Sequence, residues 1–566
     1  MISMNTHCAQ LPPPCPPDFK QSWNRFDQPP FTQPVRLREG HHPSNSHFLA
    51  VHYDVLQDVF ELLRQNKALQ PLSMTCKAIR EACMPYLFRH ARVDTGWEIM
   101  SGRLVETSSD IWLYVRHLTL RGTWANKYDR PSQQRIDLGA LQEPLRDFLS
   151  SMPLLHTISL TGGWNGVPWD AFKTLLPVAR LRHFKLGMTP DRGRPYPVDE
   201  EPFIVAPLET FEVTFDGVSA NDDPYVGERS LFEFVVPQVS ETLESLRLPL
   251  ESAPLARLAA SPWPRLRKLS LWGDRSRSKD CFVPFNAVLS GMSGLRSLVL
   301  LYSQKDDVER ELVWLNGSPW KLSFPDLESL TLSYPDPEDG LFSSLPQLRR
   351  LSLRCWPRHY LHQFAREKQE MDRNGWKSPI TTSSEMLAVL RKCPSDALEE
   401  LEIEYKADDR DAELLQSLSV LYPRVKVLTL LRYRSDTETE VPINRLAHDL
   451  STMAHVRVMR LHLDLPNAPD PESFYPHEYY ADIPEPPPGP PFASSRQAAA
   501  EELARHLSSS LRLLCVLTRQ CTTNDWYPYS IARDGCGMAT GITAELVLNR
   551  FEGLSLRDGT ALMLDH

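Results

Sequence analysis

A six-residue pattern, L-x-x-L-x-L, recurs along most of this 566-residue chain and restricts the folds open to it. In the copy at 266–271, the apolar Leu266, Leu269 and Leu271 are separated by Arg267, Lys268 and Ser270. Twelve copies begin at Val115, Leu155, Leu181, Leu208, Leu243, Leu266, Leu295, Leu327, Leu348, Leu398, Val425 and Val456, at intervals of 21 to 50 residues. Alternate side chains of a strand face opposite ways. Leu269 and Leu271 therefore point to one side, and Lys268 and Ser270 to the other. One such strand cannot bury its apolar side alone. A stack in chain order forms a parallel sheet over a continuous Leu core. Helical segments at 143–149, 169–176 and 384–390 precede copies of the pattern and fit the crossovers that parallel strands require. The expected fold class is α/β, a solenoid running as one unit over residues 97–465.

The same residues carry little sign of chemistry. Residues 162–166, GGWNG, follow a strand but lack a phosphate-loop lysine, and neither H-E-x-x-H nor G-x-S-x-G occurs. Residues 336–340, DPEDG, have their carboxylates at the wrong spacing for a calcium loop and read as a turn. The ten cysteines include no C-x-x-C pair, and Cys76 and Cys83 fit helical core positions as buried thiols. A net charge of −10 argues against nucleic acid or an anionic membrane as the main partner. There is no apolar leader and no run near the roughly 20 residues that span a bilayer. The expectation is a reduced cytoplasmic or nuclear protein, not an enzyme, with no cofactor and no metal.

Around the repeats, residues 1–46 are a Pro-rich arm without apolar periodicity, and the histidines at 41, 42, 47 and 52 read as loop residues. Residues 47–93 hold three short apolar helices. Residues 466–493 form an acidic Pro-rich linker. Residues 494–566 begin with a helix capped at Ser494, followed by strands at 511–518 and 543–548, as an antiparallel cap on the solenoid. The 50-residue interval before Leu398 is either a helical excursion over the sheet or a solvated bulge.

Residues 47–93 resemble an F-box, the module that docks substrate adaptors on the Skp-type subunit of cullin ubiquitin ligases. The family's L-P-x-E-V-L matches residues 51–56, VHYDVL. Its I-F-x-x-L matches 59–63, VFELL, and its L-S-L-V-C-R-x-W-R matches 72–80, LSMTCKAIR. Departures stand at His52, Thr75 and Ile79. The repeats resemble a leucine-rich-repeat horseshoe, with strands on the concave side. Asn or Cys is missing three residues past the last Leu, so no Asn ladder is expected. Together these features resemble the fungal-type F-box/leucine-rich-repeat adaptors. The resemblance implies docking through Val51, Val55, Leu56, Leu69, Leu72 and Met74, with Val59, Leu62 and Ile79 as the module's own core. It implies a Skp-type adaptor and cullin ligase as partners, and a protein substrate on the concave face. The residues chosen there are His183, Lys185, Arg247, Lys268, Arg350, Arg354, Glu400, Glu402 and Glu404. Adjacent strands would set Arg350 opposite Glu400 and Arg354 opposite Glu404 as a charge ladder. The alternative is a repeat scaffold that binds a protein without any ligase.

Overall fold

The computed structural model describes residues 53–65, 68–94, 110–121, 142–161, 167, 169–187, 195–198, 202–213, 226–274, 283–303, 310–315, 324–355, 380–393, 395–466, 490–519 and 524–544. Its contacts divide the chain into Met1–Leu63 and Arg64–His566. The Pro-rich arm, most of the acidic linker and residues 356–379 of the long interval before Leu398 lie outside the described residues.

In the first unit the described element is α1 (Tyr53–Gln65), whose last two residues fall past the division. Leu56 and Phe60, one turn apart, are buried. Val55 and Leu62 are 51% and 59% exposed, with Val59 between them half-buried. Helical spacing places residues 55, 59 and 62 on one stripe and 56, 60 and 63 on another.

The second unit opens with α2 (Leu69–Ser73) packed on α3 (Lys77–Leu87). Cys83 is wholly buried, as expected, but Cys76 is exposed. It occupies the extended position before α3 and so has no helical face to bury.

A 16-stranded sheet follows, its strands in chain order. They are β1 (His90–Asp94), β2 (His117–Arg121), β3 (Thr157–Thr161), β4 (His183–Gly187), β5 (Thr210–Val213), β6 (Ser245–Pro249), β7 (Lys268–Asp274) and β8 (Ser297–Ser303). Then come β9 (Ser329–Ser333), β10 (Arg350–Arg354), β11 (Glu400–Lys406), β12 (Val427–Tyr433), β13 (Val458–His462), β14 (Leu513–Arg519), β15 (Asn524–Arg533) and β16 (Ala539–Ala544). Every one of the twelve pattern copies forms a strand, β2 to β13. The crossovers carry α4 (Gln142–Ser150), α5 (Trp169–Leu175), α6 (Val226–Val239), α7 (Leu255–Ala260), α8 (Phe285–Leu289), α9 (Ser383–Lys392), α10 (Asp411–Leu421), α11 (Ile443–Leu450) and α12 (Pro490–His506). α9 begins with a reciprocal cap: Thr382 Oγ1 accepts from the Glu385 N–H, and the Glu385 carboxylate accepts from the Thr382 N–H.

The parallel stack exceeds the expected 97–465 at both ends. β1 lies inside the stretch assigned to the helical module, and β14 pairs parallel with β13 through the α12 crossover. Only β15 and β16 run antiparallel, so the cap is a hairpin rather than the whole C-terminal region. α12 starts at Pro490, ahead of the expected Ser494 cap and inside the segment assigned to the linker. Proline is tolerated in a helix's first turn, where its missing N–H has no partner to lose. The 534–537 turn joins β15 to β16, with the Asp534 carboxylate accepting from the Cys536 and Met538 N–H groups.

Register is constant down the stack. Leu246 pairs with Leu269, Leu269 with Leu298, Leu298 with Leu330, and Leu330 with Leu351. At each junction from β1 to β14, the carbonyl just before one strand accepts two consecutive N–H groups of the next repeat; Arg267 O, for example, receives Arg296 N–H and Ser297 N–H. Leu266, Leu269 and Leu271 are each no more than 1% exposed and join one core cluster with the crossover helices. Burying one such side chain contributes roughly 1.5–3 kcal/mol.

Candidate functional site

The face opposite the helices is the open one. Each strand from β1 to β11 presents on it the two residues that flank the motif's second Leu. Side chains at these positions from Lys185 on β4 to Glu402 on β11, with Val427 and Thr429 of β12 and Arg460 of β13, line one shallow concavity. Four kinds of arrangement follow from the residues the repeats supply.

The first is a column of imidazoles over β1 to β4. His90 and His117 stack with ring centroids 4.3 Å apart and planes 7° from parallel. His117 meets His156 edge-on at 4.7 Å, and His156 meets His183 at 5.9 Å. His183 Nδ1 lies 3.0 Å from Thr210 Oγ1, and His156 Nδ1 lies 3.0 Å from Thr157 Oγ1. Burial pushes the His117 pKa down to about 3, helped by His90, His156 and Arg89. His156 and His183 are also lowered, first by burial; at His183 the Glu209 carboxylate pulls the other way. His117, His156 and His183 are therefore neutral at pH 7, and among the described residues no group of three or more His, Cys, Asp or Glu is arranged to hold a metal. Alternation within the pattern places His117 and His183 on this face and gives no sign of His90 and His156 beside them. His117 and His183 occupy the same motif position, and His156 the position before it.

The sign of the resulting pH dependence is fixed. In the unfolded chain these histidines take up protons near pH 6.5. The folded state refuses them, so it binds fewer protons and loses stability as pH falls below about 6.5, down to about 3 where His117 titrates. The melting temperature is expected to drop between pH 7.5 and 5, and His117→Gln should make that drop smaller. A drop of the same size in the variant would remove the column as its source.

The second arrangement is a charge network at β10 and β11. The backbone register places Arg350 opposite Glu400 and Ser352 opposite Glu402, as expected across the 50-residue interval. The side chains depart from the expected ladder. Arg354 reaches diagonally to Glu402 at 2.7 Å, and Ser352 donates to the same oxygen at 2.7 Å. Arg350 and Glu400 form no ion pair among the described residues. Glu404 is 1% exposed; it accepts the Cys355 N–H at 2.6 Å and the Tyr433 hydroxyl at 2.9 Å. Arg354, 6% exposed, lines the concavity as expected but is taken up by Glu402, whereas Glu404, expected on the binding surface, is instead internal. A diagonal bond satisfies Arg354 while Glu404 closes the strand ends, and both gain more partners than straight pairing offers.

The third is the stretch between, β6 to β10. Arg247, Lys268 and Arg350 lie here, on the concavity as expected. Lys185, on β4, also lines the concavity and is paired with Glu212 of β5 at 3.0 Å. The fourth is the 336–340 segment, a turn as read from sequence. Asp339, 2% exposed, accepts from the Val313, Trp314 and Leu341 N–H groups. Burial pushes its carboxyl up to about 6 against the pull of those three bonds.

The expected docking residues divide. Val51 lies outside the described residues. Val55 and Met74 are open, the latter 72% exposed, and Leu72 is half-buried. Leu56 and Leu69 are buried at 8% and 1%, which corrects their assignment to an open surface. Leu62, expected inside, is exposed, and Val59 and Ile79 are half-buried. The reason is helical phase: α1 carries two adjacent apolar stripes, and the one with the larger Phe60 is the buried one.

No helix among the described residues is long and apolar enough to cross a membrane. No protein-family model matches the chain, and no curated protein matches it.

Proposed function

We propose that the chain is a non-enzymatic substrate adaptor of a Skp-cullin-F-box ubiquitin ligase. In this reading α1 to α3 are the F-box, which docks on the Skp-type subunit. The leucine-rich repeats hold a protein substrate on their open face for ubiquitin transfer by the associated ligase. The observation that carries the reading is the second apolar stripe of α1, with Val55 and Leu62 exposed and Val59 half-buried between them, within residues that match the F-box motif. An apolar stripe of that kind is unfavourable in water and is what a helix-docking partner covers. A ligase-free scaffold shares the repeats but gives this stripe no role.

Full-length chain co-expressed with a Skp-type adaptor is expected to co-purify with it. Val55→Asp and Leu62→Asp should each weaken that association by more than about 30-fold, the loss associated with an interface anchor, without moving the melting temperature. Leu56→Asp, on the buried stripe, should unfold α1 and lose binding for that reason. Failure of the unmodified chain to bind the adaptor in a direct titration would leave the scaffold.

A further inference from the structure

Building on the reading of the open face as the substrate surface, we infer that its β6–β10 strip binds an extended protein segment carrying anionic side chains four residues apart.

The strip has a composition unlike the rest of the chain. Its ten positions on the open face, two per strand, comprise Arg247, Lys268 and Arg350, six Ser or Thr residues and Val299. None is a carboxylate, in a chain whose net charge is −10. Carboxylates bound the strip on each side. Glu212 on β5 is held by Lys185, Glu402 on β11 by Arg354 and Ser352, and Glu400 stands next to Arg350 at the far edge. Guanidinium and ammonium groups only donate hydrogen bonds, and hydroxyls donate when an acceptor faces them. A carboxylate or phosphate is an acceptor only and fits such a surface; a lysine-rich segment does not.

Geometry sets the spacing. Strands lie about 4.8 Å apart, so the three steps from Lys268 on β7 to Arg350 on β10 span about 14 Å. An extended segment crossing the strands advances about 3.4 Å per residue, so this distance is about four residues. Side chains four apart in an extended segment share a face. The serines of β8 and β9, Ser297 and Ser329, lie between the two cations and face that segment's backbone carbonyls.

The test uses the full-length chain and fluorescein-labelled dodecapeptides of Gly and Ser, read by anisotropy at low and high salt. One peptide has two Asp residues four apart, one has two phosphoserines four apart, one has two adjacent Asp residues, and one is neutral. The expected result is salt-sensitive binding of the four-apart anionic peptides, weaker binding of the adjacent pair and least of the neutral one. Lys268→Glu and Arg350→Glu should each weaken binding about tenfold or more, and Lys173→Glu on α5 should leave it unchanged. Lys268→Gln and Arg350→Gln give the same comparison should a charge reversal fail to fold. Binding of the phosphoserine peptide alone identifies phosphate as the anion; equal binding of the Asp peptide identifies charge of either kind. Equal affinity for neutral and anionic peptides, or equal loss with Lys173→Glu, overturns the inference. Adaptor binding measured on the same preparations separates the two readings. Peptide bound without adaptor refutes only the ligase, and adaptor bound without peptide refutes only the strip.

Discussion

Leu269→Asp is expected to unfold the repeat sheet, while Lys268→Asp, one residue away, leaves stability within about 0.5 kcal/mol of the parent. Leu269 is 1% exposed, pairs in register with Leu246 and Leu298, and belongs to the one core cluster that the strands and helices share. A carboxylate there would stand in that apolar cluster, and burying it uncompensated costs on the order of 4–5 kcal/mol or more. Lys268 points to the open face and is exposed. Urea titration of the two variants makes the comparison. Equal midpoints would mean that the facing of β7 is wrong.

Arg432→Ala is expected to cost about 3–5 kcal/mol, the loss typical when one partner is removed from a buried ion pair. The Arg432 side chain is 3% exposed on the core side of β12. Its Nε and Nη2 donate to Asp411 Oδ2 at 3.0 and 2.9 Å, and Nη2 also reaches both Glu438 oxygens. Burial works against the charged guanidinium, yet Glu438 and Asp411 outweigh it and raise its pKa further. Asp411 is the first residue of α10, so the same bond ties a strand end to a helix N-terminus, where negative charge is favoured. Without the guanidinium, both carboxylates are left facing each other and the buried Tyr405. Arg432→Lys keeps the charge but cannot fork between the two acids, so it should fall between parent and Ala. A midpoint shift in urea with unchanged slope is the expected observation. No shift for Arg432→Ala would mean that the cluster contributes nothing to stability.

What was legible in the sequence follows from how many residues shared each constraint. The twelve strands from β2 to β13 were readable because each repeats the same alternation and each needs the next to cover it. β1 was missed because residues 88–93, FRHARV, keep the skeleton of the pattern with Phe88, Ala91 and Val93 in place of leucines. β15 was missed because Pro528 interrupts its alternation, although the strand carries it. Site residues were harder. Period two correctly put Lys185, Lys268 and Arg350 on the open face, but alternation says nothing of depth. Glu404 therefore looked exposed, when hydrogen bonds to neighbouring strands had taken it inside, and Arg354 looked free to bind, when Glu402 already holds it. On α1, two adjacent apolar stripes satisfied the same spacing, and only the structure shows which is turned inward.

The shared-carbonyl junction, repeated without slippage from β1 to β14, has a consequence for how this surface changes over time. Absence of drift makes the open face a lattice, with steps of about 4.8 Å across strands and about 6.7 Å along them. Each lattice point is addressed by one letter of the sequence, and replacing that letter leaves the backbone register around it in place. The surface is thus written as pairs of letters, one pair per repeat, and can be revised a point at a time. Duplication of a whole repeat would displace every later pair by one step and leave its spelling intact. Insertion of a single residue within a strand would instead exchange the two faces beyond it, setting the letters against the core.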